Sequence, residues 1–65
     1  MTKYVHIVQV HPVENGEPNL YKVREEFEYQ TQEDAEAIVW HWNETWKDTK
    51  AVYRGRVNEE TGELE

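Results

Sequence analysis

One segment of the sequence has the periodicity of a helix, and it lies between segments that alternate like strands. In residues 32–46, apolar side chains recur at helical spacing and form one stripe. The members of this stripe are Ala35, Ile38, Val39, Trp42 and Trp46. Thr31 precedes the segment, and Glu33 and Asp34 lie in its first turn, which is typical of a helix N-terminus. A single helix of this kind must cover the apolar face of a sheet built from the rest of the chain.

Three segments predict the strands of that sheet. Residues 4–10 are rich in β-branched and aromatic residues, and residues 20–29 and 50–57 alternate along the chain. Asn15-Gly16, between the first two segments, is typical of a hairpin turn. We therefore predict an α+β fold of the order β-β-α-β. Its three-stranded antiparallel sheet has the order 2-1-3, and the helix packs on one face of the sheet.

The alternation leaves the buried face of the first strand open. The even-numbered residues 4–10 and the odd-numbered residues 5–11 are nearly equal in apolar content, so either set can face the helix. The predicted domain spans residues 1–57 as one compact unit. Residues 58–65 contain four Glu and one Leu, and this composition predicts an acidic, disordered tail.

The composition excludes several classes of protein. The chain has 14 Asp and Glu against 7 Lys and Arg, a net charge of −7, which repels phosphates. We therefore expect no membrane binding and no direct binding of nucleic acid. The absence of cysteine and of an apolar leader predicts a cytoplasmic protein. No nucleophile, base and orienting residue can be assembled from the spacing of the three histidines, so we expect neither an enzyme nor a metal or cofactor.

The predicted strand faces concentrate the positive charge. Five of the seven cations fall on the face that the helix leaves open. They are Lys22, Arg24, Lys50, Arg54 and Arg56. Arg54 and Arg56 are two residues apart on one strand, so each guanidinium is expected to bind a carboxylate of a partner. The alternative is a solvated face on which the cations pair with Glu26 and Glu28 of the same chain.

Trp40 is the second candidate for contact with a partner. Its helical position places it on the side away from the apolar stripe, near Glu36 and Glu44. Exposed tryptophans are enriched at protein interfaces, so Trp40 is a candidate anchor. The alternatives are that the helix is rotated or that Trp40 packs against the tail.

The pattern resembles the small early proteins with which short-tailed coliphages inhibit bacterial RNA polymerase. Members of that family are acidic, have about this length and share the β-β-α-β order. The matching features are the short turn between two strands, the helix that opens with Thr31, Glu33-Asp34 and Ala35, and Arg54-Gly55-Arg56 where the family has an Arg-x-Arg. The resemblance implies that Arg54 and Arg56 are the principal contacts to the β′ jaw of the polymerase. It also implies that binding blocks formation of the open complex.

The resemblance further implies contacts from Tyr21, near the family's aromatic contact, and from Glu14, near its acidic hairpin position. The leading hypothesis is therefore an inhibitor of transcription initiation that binds the polymerase β′ subunit in the bacterial cytoplasm, as a monomer or weak dimer. The predicted binding residues are Arg54, Arg56, Tyr21, Trp40, Glu14, Lys22 and Arg24. Two alternatives stay open. One is a DNA mimic of the anti-restriction or anti-CRISPR type, and the other is a regulatory subunit that dimerises through its open face or free strand edge.

Overall fold

The chain folds as a small sheet covered on one face by one helix. The computed structural model describes residues 3–64. The elements are β1 (Tyr4–Glu14), β2 (Glu17–Pro18), β3 (Glu25–Tyr29), α1 (Gln32–Thr45) and β4 (Thr49–Asn58). β1 lies between β3 and β4 and pairs with both in antiparallel register, while β2 pairs with the end of β1. The predicted α+β class and the order of the three main strands are confirmed.

The core lies between α1 and one face of β1. Val8 and Val10 of β1 are buried together with Ala35 of α1 and Ala51 of β4. Partly buried side chains surround this cluster: Phe27, Tyr29, Ile38, Val39, Trp42 and Tyr53. The even-numbered face of β1 therefore faces the helix, which answers the question that the sequence left open. The two alanines let the backbones of α1 and β4 approach each other, and the larger side chains close the core around them.

The ends of α1 follow from local hydrogen bonds. The Thr31 side-chain oxygen accepts a hydrogen bond from the Asp34 N–H at 3.1 Å, as expected for an N-cap. The helix ends at Thr45, one residue before the predicted end, because Trp46 takes extended backbone angles. With 14 residues, α1 is too short and too polar to cross a membrane, and no other helix occurs among the described residues.

The predicted second strand is the main correction to the fold. Asn15 and Gly16 form the expected turn with positive φ angles of 55° and 81°. The chain then pairs with β1 only at residues 17–18 and again from Glu25 onward, so the predicted strand over residues 20–29 is wrong for its first half. The observed register places Phe27 opposite Val8. An uninterrupted hairpin would put the smaller Val23 there, so the interruption buries a larger ring against α1.

Residues 59–64, for which the composition predicts disorder, follow a defined path in the structure. The Gly62 N–H donates to the Asn58 carbonyl at 2.7 Å, and the Asn58 N–H donates to the Glu63 carbonyl at 3.0 Å. Leu64 thereby forms an isolated antiparallel bridge with Val57 of β4. Glu65, the last residue of the predicted tail, lies outside the described residues.

Candidate protein-binding surface

A β-bulge separates the two arginines that the sequence analysis placed on one face. Tyr53 lies opposite Val8 and Gly55 lies opposite Ile7, so Arg54 is an extra residue in β4. One extra residue reverses the alternation beyond it, which turns Arg56 toward the helix-side face of the sheet. The prediction that Arg54 and Arg56 share the open face is therefore wrong.

The two arginines have different surroundings. Arg56 lies opposite His6, and its guanidinium carbon is 4.2 Å from the centre of the Tyr4 ring, a cation–π contact. Arg54 is exposed and lines a shallow groove of about 360 Å³ on the open face. The groove is formed by Ile7, Gln9, Glu26, Glu28, Arg54, Val57 and Leu64. A partner that binds one of these arginines through a flat surface cannot also bind the other.

The predicted cationic patch on the open face is smaller than expected. Lys22 and Arg24 belong to no strand, because the chain leaves the sheet between Pro18 and Glu25. Lys22 instead forms an ion pair with Glu14, with 3.7 Å between Nζ and Oε2. Of the five predicted cations, the open face keeps Lys50, which lies opposite His11, and Arg54.

Residues 19–24 form a loop that projects from the hairpin, here called the side loop. Two residues of β1, His11 and Pro12, lie opposite these six residues, so four residues are looped out. Each end of the side loop is hydrogen-bonded to β1. The Asn19 N–H donates to the Pro12 carbonyl and the Arg24 N–H to the Val10 carbonyl, both at 2.8 Å. The loop therefore has fixed ends on a rigid strand.

The interior of the side loop is also hydrogen-bonded. The Asn19 side-chain oxygen accepts from the Tyr21 N–H at 3.0 Å, and the Asn19 carbonyl accepts from the Lys22 N–H at 3.2 Å. This combination of a side-chain turn and a backbone turn is typical of asparagine. In addition, the Asn19 side-chain nitrogen donates to Glu14 at 3.1 Å. Asn19 thus shapes the loop and ties it to the end of β1.

The side chain of His11 in β1 is hydrogen-bonded to the middle of the side loop. Its side chain is fully buried (0% exposed) on the face of β1 away from the core, and it is the buried polar residue among residues 3–64. His11 Nδ1 lies 2.6 Å from the Lys22 carbonyl. Because a carbonyl can only accept, the His11 Nδ1–H is the donor in this hydrogen bond. His11 Nε2 is buried without a hydrogen-bond partner. In the sequence, His11 belongs to one of the two sets of β1 residues that could face the helix, and nothing in its neighbours predicts its burial under the side loop.

The side loop displays apolar side chains to solvent. Tyr21 is 100% exposed, and its neighbours Leu20 and Val23 are 53% and 49% exposed. Sequence reasoning named Tyr21 as a contact but treated it as a strand residue, and it missed Leu20 and Val23. Pro18-Asn19 was the available signal, because both residues favour turns over a continuous strand.

Trp40 and Trp46 are the exposed aromatic residues of the helix region. Trp40 is 69% exposed, which confirms that it lies on the side of α1 away from the core. Trp46, expected in the core, is 44% exposed, and its ring lies 4.3 Å from that of Trp42. The Trp42 ring N–H donates to the Thr49 hydroxyl at 2.9 Å, so Trp42 anchors this end of the helix and leaves Trp46 half outside.

The described residues were also searched for a metal site and the chain was compared with known proteins. Within residues 3–64, no three His, Asp or Glu side chains are grouped so as to hold a metal ion. No protein-family model matches the chain, and comparisons with curated proteins and with solved structures find no similar protein.

Proposed function

We propose that this protein is a binding module that acts by docking the side loop onto a partner protein. The observation that carries the proposal is the full exposure of Tyr21 between two half-exposed apolar side chains, on a loop held by hydrogen bonds. Contiguous exposed apolar side chains are uncommon on small monomeric proteins and typically mark interaction sites. A loop that is already ordered loses little conformational entropy on binding, which favours affinity.

The partner that we propose first is bacterial RNA polymerase, with inhibition of transcription initiation as the result. The support is the resemblance stated above, together with one structural relation. Tyr21 and Glu14, the two hairpin contacts that the resemblance implies, lie at the same place, because Glu14 binds Lys22 and Asn19 of the side loop. The separation of Arg54 from Arg56 shifts the expected contact area from the end of β4 to this loop. In this proposal the protein acts in the bacterial cytoplasm and needs no cofactor.

The test is binding to purified bacterial RNA polymerase, measured with promoter-dependent transcription in the same samples. We expect wild type to bind and inhibit, and Tyr21→Ser to bind at least about 30-fold more weakly, as for an interface hot spot. His41→Ser is the control, since it removes an exposed aromatic ring from the helix outside every predicted contact, and we expect its affinity to stay within about threefold of wild type. No binding by wild type rejects this partner. Equal binding by Tyr21→Ser rejects the side loop as the docking site.

A second candidate is a DNA mimic, which the distribution of exposed acids favours. Glu25, Glu26 and Glu28 of β3 are exposed, and so are the acids in the first turn of α1. Acids outnumber cations two to one, so many carboxylates are left to face solvent. Such a surface suits a basic groove that normally holds phosphates. Combined Glu33→Gln, Asp34→Asn, Glu36→Gln and Glu44→Gln changes would weaken a mimic strongly and a side-loop binder little, in binding assays at low and high salt.

A further inference from the structure

The side loop combines its apolar side chains with a local positive charge. Between Glu17 and Glu25 the chain has no acid, although the whole protein carries a net charge of −7. The two charged residues of this interval are Lys22 and Arg24, both exposed, and they alternate with Tyr21 and Val23 along the loop. A partner that covers the apolar side chains must therefore come close to two cations.

The two cations are held differently. Lys22 is 3.7 Å from Glu14 and 67% exposed, so its charge is partly balanced within the protein. Arg24 lies at the base of the loop, where its N–H is bonded to β1 and fixes its position. A guanidinium at a fixed backbone position can bind a carboxylate through two parallel hydrogen bonds. The base of the loop is thus suited to an acidic group on the partner.

The dimensions of the loop define the rest of the partner site. Tyr21 is fully exposed on a segment of four looped-out residues, so its side chain projects from the protein surface. A projecting side chain is complementary to a concave partner surface rather than to a flat one. The Tyr21 ring is apolar along most of its length and polar at its hydroxyl, so it favours an apolar pocket with a hydrogen-bonding group at depth. Leu20 and Val23 on either side extend the apolar contact around the mouth of that pocket.

We infer that the side loop binds a protein pocket that is apolar inside and carries carboxylates at its rim, with Tyr21 in the pocket and Arg24 at the rim. The inference rests on the proposed function, because it specifies the chemistry of the partner surface that the side loop docks onto. His11 is the positioning residue of this site, since its bond to the Lys22 carbonyl sets the middle of the loop.

The experiment replaces Tyr21 with the photoreactive aromatic amino acid p-benzoylphenylalanine in the full chain. The probe is cross-linked in bacterial lysate, and the captured protein and the cross-linked peptide are identified by mass spectrometry. A second sample carries the same probe at His41, which is exposed on α1 and is not a predicted contact, and controls for non-specific capture. We expect the residue-21 probe to capture a protein that the residue-41 probe does not, at a site lined by apolar residues and bordered by Asp or Glu.

Affinities for the captured protein, once purified, complete the test. We expect Tyr21→Ser to bind at least about 30-fold more weakly and Lys22→Glu/Arg24→Glu about tenfold more weakly. The matched control is Lys3→Glu/Lys47→Glu, which changes the net charge by the same amount outside the side loop, and we expect it to stay within about twofold of wild type. His11→Gln should fall between the loop variants and wild type if the protein stays folded by circular dichroism.

Three results would overturn the inference. The first is capture at residue 21 that does not exceed capture at residue 41. The second is evidence against an acidic rim, given either by a cross-linked site bordered by Lys or Arg or by equal losses for the two charge-reversal variants. The third is binding to phosphatidylglycerol vesicles that Tyr21→Ser abolishes, which would make the loop a membrane contact. A captured protein other than RNA polymerase rejects the proposed partner and leaves the pocket chemistry standing, so the two failures are distinguishable.

Discussion

His11 links the stability of the core to the shape of the side loop. Its ring is fully buried on the face of β1 away from α1, and it makes one hydrogen bond, to the carbonyl of Lys22. Burial of an imidazole with one nitrogen unpaired is costly, so its presence indicates that the hydrogen bond and the packing outweigh that cost.

We expect His11→Ala to lower the free energy of unfolding by about 2 kcal/mol, because it leaves a cavity and removes the hydrogen bond to the side loop. Urea unfolding followed by tryptophan fluorescence measures this change. His41→Ala is the control, since His41 is exposed on α1, and its effect should stay within about 0.5 kcal/mol. Equal stability of the two variants would show that His11 contributes no packing or hydrogen bonding to the fold.

Gly55 makes the bulge in β4 possible. Its φ angle is 116°, a conformation that residues with a side chain rarely adopt. The position after the extra residue Arg54 needs this conformation, because the strand must regain its pairing with Ile7 of β1.

We expect Gly55→Val to destabilise the protein by about 1–3 kcal/mol, since the new side chain is strained at that φ angle. Thermal unfolding by circular dichroism measures the loss. Gly62→Val introduces the same side chain in the turn after β4, at a φ angle of 77° and with no neighbour near the new Cβ atom. It therefore measures the backbone strain alone, outside the paired part of the sheet. A loss at position 62 with none at position 55 would mean that the bulge relaxes without glycine.

At the scale of elements, the helix and the strand order could be predicted from sequence and the interruptions of the strands could not. Periodicity distinguishes a helix from a strand over ten or more residues, so α1 and the order of the elements follow from it. The side loop could not be predicted because its four extra residues are an even number. The alternation of apolar and polar side chains therefore continues from one end of the loop to the other as it would in an uninterrupted strand. The bulge in β4 could not be predicted because one extra residue exchanges the sheet faces of the side chains after it, and no change in composition marks the position. The side loop determines the position of Tyr21 and the bulge determines the face of Arg56. The candidate site was therefore predicted less well than the fold.

The even length of the looped-out segment gives a direct test of its role. Deletion of residues 20–23 brings Asn19 and Arg24 together opposite Pro12 and His11, and every later residue keeps its partner on β1. We expect the deletion variant to fold with the native circular dichroism spectrum, because Phe27 and Tyr29 keep their places on the core. Binding to the partner captured through residue 21 should fall to background. Retained binding by the four-residue deletion would contradict the role of the loop.

At the scale of the whole molecule, like charges dominate the surface. The net charge is −7, and the ion pair between Lys22 and Glu14 joins two partly exposed side chains, so it contributes little stability. Repulsion among the remaining acids opposes the compact state.

We expect salt to stabilise the fold. Raising NaCl from 10 mM to 500 mM shortens the screening length from about 30 Å to about 4 Å and should raise the free energy of unfolding by about 1 kcal/mol. Urea titrations at the two salt concentrations measure the difference. A decrease in stability with salt would show that attractive pairs, and not repulsion, dominate the surface.

The outer edge of β4, which faces away from β1, determines how readily two copies of the protein can associate through their sheets. The Asn43 side chain binds both the N–H and the carbonyl of Ala51, at 2.9 Å and 3.1 Å, and so takes the place of a neighbouring strand. Leu64 covers the other end of the edge at Val57. The stretch between them, residues 52–56, contains the bulge and is shorter than the six or seven residues that cross-β stacking typically needs. A dimer formed through this edge would have to displace Asn43 or the tail, and for the same reason the protein is expected to resist amyloid-like aggregation at millimolar concentration.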